Sequence, residues 1–236
     1  MSGHSHYDTI KRQKEGKDAK RGNLFSKLSK MITIAIKTGG SSNPETNFKL
    51  RVAIDQAKSF NMPKENIERI LKSAEDKLAN VEEITYEGYG PQSVSVIVET
   101  ATDNKNRTAQ EVKGMFEKAG GSMGGPGSVS FNFESKGYML LKKTDDVETQ
   151  TLELIDLGVE DLEEVDDGLE VFVPSNLLRD VREKIQTAGF EILKMELKMV
   201  PKNYIEIENE DKKQKVINFL ETLEEHDDVQ RVFSNF

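Results

Sequence analysis

In NLFSKLSKMITIAIKTGG the apolar residues Leu24, Phe25, Leu28, Met31, Ile32, Ala35 and Ile36 recur every three to four positions, the spacing of one buried helical face. Gly39 and Gly40 are expected to end that helix. A second helix is predicted in PETNFKLRVAIDQAKSF, with Phe48, Leu50, Ala53, Ile54 and Ala57 turned inward. A third follows in NMPKENIERILKSAEDKL. Pro63 suits its first turn, where a missing amide donor costs nothing, and Ile67, Ile70, Leu71 and Leu78 form its stripe. Residues 1–80 therefore read as a polar arm followed by a small helical domain.

From Glu83 the period shifts towards two. ITYEGYGP and SVSVIVETA predict strands separated by a Gly-Pro turn, and DNKNRT leads into the helix TAQEVKGMFEKAGG. Thr108 and Glu111 have capping-box spacing. SVSFNFES alternates as another strand. From Gly137 the segments YMLLKK, VETQTLELIDLG, DLEEV with LEVFVP, SNLLRDVREKIQTAG and ILKMELKMVP run strand, helix, strand pair, helix, strand, the order of a ferredoxin-like domain. The middle region lacks a second helix and a last strand of the same pattern. The tail KKQKVINFLETLEEHDDVQRVFSNF supplies both, a helix on Val216, Ile217, Leu220 and Leu223 and a short strand. The expected architecture is α+β with three domains. A helical domain spans 1–80, a discontinuous ferredoxin-like domain spans 81–136 plus 207–236, and an acidic ferredoxin-like domain spanning 137–206 is inserted in it.

Charge sharpens this division. Residues 1–80 hold 16 basic and 9 acidic side chains, leaving 17 basic and 33 acidic to the rest of a 236-residue chain whose net charge is −9. Such asymmetry suits a polyanion-binding region beside a solvating one. The chain has no cysteine, which excludes disulfides and thiolate chemistry and fits a reducing cytoplasm. Neither a signal-peptide core nor an apolar run of about 18 residues is present, so no export and no membrane span are expected.

The candidate chemistry lies mainly in the arm. Lys11, Arg12, Lys14, Lys17, Lys20 and Arg21 are opposed only by Glu15 and Asp18, and Lys27, Lys30 and Lys37 continue the positive face along the first helix. Clustered cations of this kind release counterions from phosphates, about 0.9 unit of log-log salt slope per contact on duplex DNA. A merely solvated charge run is the plain structural alternative. Tyr7 offers a ring to an unpaired base, and His4 and His6 can hydrogen-bond a nucleotide edge. Lys105 and Arg107 sit in DNKNRT at a helix start, where amide donors can meet a phosphate, although turn-and-cap chemistry explains the same residues. GGSMGGPGS, Gly120 to Ser128, leaves a helix and enters a strand, the reverse of a P-loop, so a flexible turn is expected.

Metal binding by His4 and His6 is not expected, since no further ligand is near them. The carboxylates of EDLEEVDDGLE, Glu160 to Glu170, read as a hydrated row without the single perturbed group that catalysis needs. With no nucleophile motif, no cofactor motif and no metal box, a non-enzymatic protein without cofactors is expected.

GHSHYDTIKRQKEGKDAKRGNLFSKL, NMPKENIERI, YEGYGP, TDNKNRT and GSVSFNFE together resemble, in order and spacing, the YebC/PmpR family, whose mitochondrial relatives include the translational activator of cytochrome c oxidase subunit one. The resemblance covers essentially the whole chain. It implies three α/β domains, a helical one and two ferredoxin-like ones, one of them discontinuous. It departs at His6-Tyr7, where the family usually shows Lys-Trp, and at Glu15-Gly16, where small alanines are common; Gly costs a helix about 1 kcal/mol relative to Ala. The resemblance implies a DNA-binding transcriptional regulator or, alternatively, a ribosome-associated translation factor that binds rRNA or tRNA and relieves stalling at runs such as consecutive prolines. A third expectation, drawn from charge alone, is a protein-interaction scaffold whose acidic domain meets a basic partner. The nucleic-acid readings place the protein in the cytoplasm, with no membrane or small-molecule partner.

Overall fold

The computed structural model describes residues 21–77 and 81–236. They form two compact units. One is Asn132–Asn203; the other joins the helical region to the remaining strands and to Tyr204–Phe236.

Three helices build the helical region, α1 (Arg21–Gly39), α2 (Phe48–Ser59) and α3 (Lys64–Lys77). Their stripes meet in one core, where Leu28, Ile32, Leu50, Ala57, Ile67 and Ile70 are buried. Gly40, at φ 67°, turns the chain out of α1 in a conformation that side chains disfavour. Asn47 caps α2 by accepting from the Leu50 amide at 3.1 Å, and its Nδ2 donates at 2.8 Å to the carbonyls of both Ala35 and Ser41. That amide thus fills the corner between α1 and α2, and Phe48, expected inward, is 49% exposed at the helix start. Leu78 lies outside the described residues.

The first sheet comprises β1 (Glu82–Tyr89), β2 (Ser95–Thr102), β3 (Ser122–Met123) and β8 (Val229–Ser234), in the order β3-β1-β2-β8 with every neighbouring pair antiparallel. Helices α4 (Lys105–Lys118) and α7 (Glu210–Glu225) pack against it through Val112, Phe116, Val216, Leu220 and Leu223. The rings of Phe116 and Phe219 meet edge to face, their centroids 5.0 Å apart. The tail does supply the missing helix and strand. Starting at β2, the sheet has the ferredoxin-like order, but the strand in third structural place is β1, which comes first in the chain.

The second unit holds β4 (Phe133–Leu141), α5 (Val147–Asp156), β5 (Asp161–Val165), β6 (Gly168–Pro174), α6 (Leu178–Thr187) and β7 (Ile192–Pro201). Its antiparallel sheet, ordered β5-β6-β4-β7, has the ferredoxin-like arrangement without permutation. SVSFNFES is not a strand of its own. Ser130–Asn132 makes a short turn of 3-10 helix, and β4 then runs unbroken through Gly137. A Cβ on Gly137 would come within 2.7 Å of Leu178 Cδ1, so this glycine admits α6 rather than ending a strand. The carboxylate row also differs from expectation at one end, because Glu170 is 1% exposed and accepts from the Tyr138 hydroxyl at 2.7 Å.

Candidate nucleic-acid interface

Helix α7 begins with Glu210 and Asp211 in its first turn and has no basic residue in its last. Its C-terminal carbonyls therefore present partial negative charge with no local cation to meet it. Helix α1 supplies that charge from almost 200 residues away. Lys27 Nζ donates to the Glu224 carbonyl, and Lys30 Nζ donates to the Asp227 carbonyl at 3.1 Å.

Asp228, one residue further, is the centre of the cluster. Its carboxylate is 3% exposed; Oδ1 accepts from Lys30 Nζ at 2.5 Å, while Oδ2 accepts from Arg107 Nη2 at 2.9 Å and from Thr108 Oγ1 at 2.6 Å. Burial alone would raise this carboxyl. The hydrogen bonds from Lys30, Thr108 and Arg107, with the Lys30 charge, more than reverse that effect and hold it far below the usual carboxylate range. Arg107 Nη2 also bonds Asp103 Oδ1 at 3.0 Å. The Asp228 amide donates to His226 Nδ1 at 3.1 Å, which assigns the ring proton to Nε2, 2.9 Å from Glu111 Oε2.

The local sequence explains these positions. Asn104 caps α4 by accepting from the Arg107 amide at 3.1 Å, so the helix starts three residues before the expected Thr108–Glu111 box. Thr108 is consequently inside α4, fully buried and 2.8 Å from Thr102 Oγ1. Glu111 is free of capping and reaches His226 instead. An open cleft of about 500 Å³ lies beside the cluster, where Asp103, Glu111, Glu225 and Asp227 outnumber Lys30 and Arg107. Glu111, His226 and Asp228 bring possible ligand atoms within 4.8 Å of one another. Both Asp228 oxygens are already filled and two cations stand against them, which makes the place unfavourable for a metal ion.

Of the residues expected to grip nucleic acid, His4, His6, Tyr7, Lys11, Arg12, Lys14, Lys17 and Lys20 lie outside the described residues. Arg21 is the first residue of α1. Lys27, Lys30 and Arg107 are brought together, but on an acidic segment of the same chain. Lys37 is exposed and donates to the Val81 carbonyl at 2.9 Å, and Lys105 is exposed at the start of α4.

The Gly-rich loop is more ordered than a flexible turn. The Glu87 carboxylate, 8% exposed on β1, accepts from the amides of Gly127, Val129 and Ser130 at 2.9, 2.8 and 2.8 Å. Burial pushes Glu87 up, and these donors with the Ser130 hydroxyl outweigh it, holding the carboxyl below its ordinary value. The loop amides that could have cradled a phosphate already hold an internal anion.

A helical domain tied through a buried carboxylate to a permuted ferredoxin-like sheet, with a second ferredoxin-like fold inserted in the same chain, defines a multidomain α+β protein with a basic leader. The chain belongs to the TACO1/YebC family. Residues 5–77 match the TACO1/YebC protein N-terminal domain, and residues 81–236 match the TACO1/YebC second and third domain. Proteins named probable transcriptional regulatory protein from Dictyoglomus turgidum and Chlorobium phaeobacteroides are 44% and 47% identical over 240 residues, covering 100% of this chain and 96% and 95% of their own. The crystal structure of a conserved hypothetical protein from Aquifex aeolicus superimposes with a TM-score of 0.83 at 43% identity, covering 93% of this chain and 91% of that one. No helix among the described residues is long and apolar enough to cross a membrane.

Proposed function

We propose that this protein is a non-enzymatic, nucleic-acid-binding regulator of gene expression, acting as a DNA-binding transcriptional regulator in the cytoplasm. The observation that carries this reading is charge placement: six of the eleven residues from Lys11 to Arg21 are cationic in a chain of net charge −9. The names of its relatives support the regulatory role. Because Lys27, Lys30 and Arg107 are engaged within the fold, first contact falls to the arm, through Lys11, Arg12, Lys14, Lys17, Lys20 and Arg21. Tyr7, His4 and His6 carry side chains whose chemistry suits contact with bases, and Lys105 is an exposed further cation.

A second reading, a translation factor on ribosomal RNA or tRNA, is favoured by the 33 acidic residues beyond residue 80, which repel a long duplex wherever the arm does not touch it. Lysate sedimentation and promoter capture separate the two. Preference for one promoter sequence over shuffled DNA supports the transcriptional role, and salt-sensitive co-migration with ribosomal subunits would replace it with the translational one. Changing Lys11, Arg12, Lys14 and Lys17 together to Ala tests both against a scaffold, which would keep its partner while either nucleic-acid role loses affinity.

A further inference from the structure

Three cations that sequence spacing nominates for phosphate contact converge on one short segment. Lys27 bonds the Glu224 carbonyl, Lys30 bonds the Asp227 carbonyl and the Asp228 carboxylate, and Arg107 bonds Asp228. Lys30 and Arg107 keep 24% and 46% of their side chains exposed, so their outer faces border the cleft. A carboxylate held by an ammonium, a guanidinium and a hydroxyl occupies the place that a phosphodiester oxygen takes among the same donors. The neighbouring Asp103, Glu111, Glu225 and Asp227 deter an external anion from joining it.

We infer that Asp228 is an internal substitute for a nucleic-acid phosphate, an autoinhibitory contact that withholds Lys30 and Arg107 until a bound strand displaces it. This rests on the reading that the arm binds nucleic acid. The arm makes first contact and brings phosphates to the start of α1. Phosphates at high local density then compete with Asp228 for Lys30 and Arg107, and their success loosens the tie between α1 and the turn after α7. Thr108 keeps the carboxylate in place from the protein side, being fully buried and out of reach of a strand.

The test is a salt series of oligonucleotide binding with the full chain, comparing Asp228→Asn with Asp227→Asn. Both changes remove one negative charge, but the exposed Asp227 meets Lys30 only through its backbone carbonyl. Asp228→Asn should tighten binding several-fold at low salt. It should also steepen the log-log salt slope by up to about 1.8 on duplex DNA, or about 1.4 on a single strand, as two cations become free. Asp227→Asn should leave the slope unchanged. Equal effects of the two variants, or an Asp228→Asn protein that melts as a folded chain with unaltered slope, overturn the inference. Should Asp228→Asn fail to fold, Thr108→Val removes one donor without altering charge; tighter binding upholds the contact, and unchanged or weaker binding rejects it. If the wild-type chain binds no oligonucleotide, or binds as tightly without its arm cations, the earlier reading fails instead.

Discussion

Asp228 combines near-complete burial with three charged or hydroxyl donors, a combination whose loss leaves cations facing each other. Replacing it with Ala is expected to cost about 2–3 kcal/mol in urea unfolding, less than a fully buried pair because Lys30 and Arg107 can turn to water. The sign of its pH dependence follows from the depressed carboxyl. The stabilisation is complete above the unfolded-state value, near 4 for Asp, and fades as pH falls through the lower folded-state value. Glu87 acts in the same direction. Thermal melts of the wild type should therefore decline steadily below about pH 4, while Asp228→Asn shows a shallower decline. Glu87→Gln should loosen the loop from Gly124 to Ser130, read as faster amide exchange at Gly127 and Val129, whose donors lose a charged acceptor.

At the scale of elements, β4 and its glycine make a prediction of their own. Gly137→Val would drive side-chain atoms into Leu178 and push α6 off the sheet, so a drop of several degrees is expected in the melt of the unit from Asn132 to Asn203. The periodic stripes of α1 and α7 were legible in the sequence because the residues of each stripe gather in one core; the burial of Thr33 and Ile34, off the stripe of α1, was not. The strand after the Gly-rich loop was misread, since a glycine admitting a helix and a glycine ending a strand look alike until the helix is in place. The cap of α4 was misplaced for a related reason. Asn104 and Thr108 are both good caps, and Thr108 turns inward to partners on other elements, Thr102 on β2 and the distant Asp228. Asp228 itself had a faint signal in the acidic turn that follows α7, a helix without a cation in its last turn. Nothing local names Lys27 and Lys30 as the groups that answer it.

Over the whole molecule, opposite charges are separated along the chain, a basic arm preceding a longer stretch in which acidic residues prevail. Changing Lys11, Arg12, Lys14 and Lys17 to Ala should flatten the salt slope of oligonucleotide binding by up to about 3.6 on duplex DNA. Fluorescence anisotropy across a potassium chloride series measures this directly, and a smaller change counts the arm cations that miss a phosphate.

The permuted sheet governs the order in which a nascent chain can mature. β2 needs β8 along one edge, more than a hundred residues downstream, and α7 must arrive with it. The segment from Asn132 to Asn203, by contrast, contains all four strands of its own sheet. On the ribosome that segment can close while its host still waits for the last residues to be translated, leaving β2 with a bare flank in the meantime.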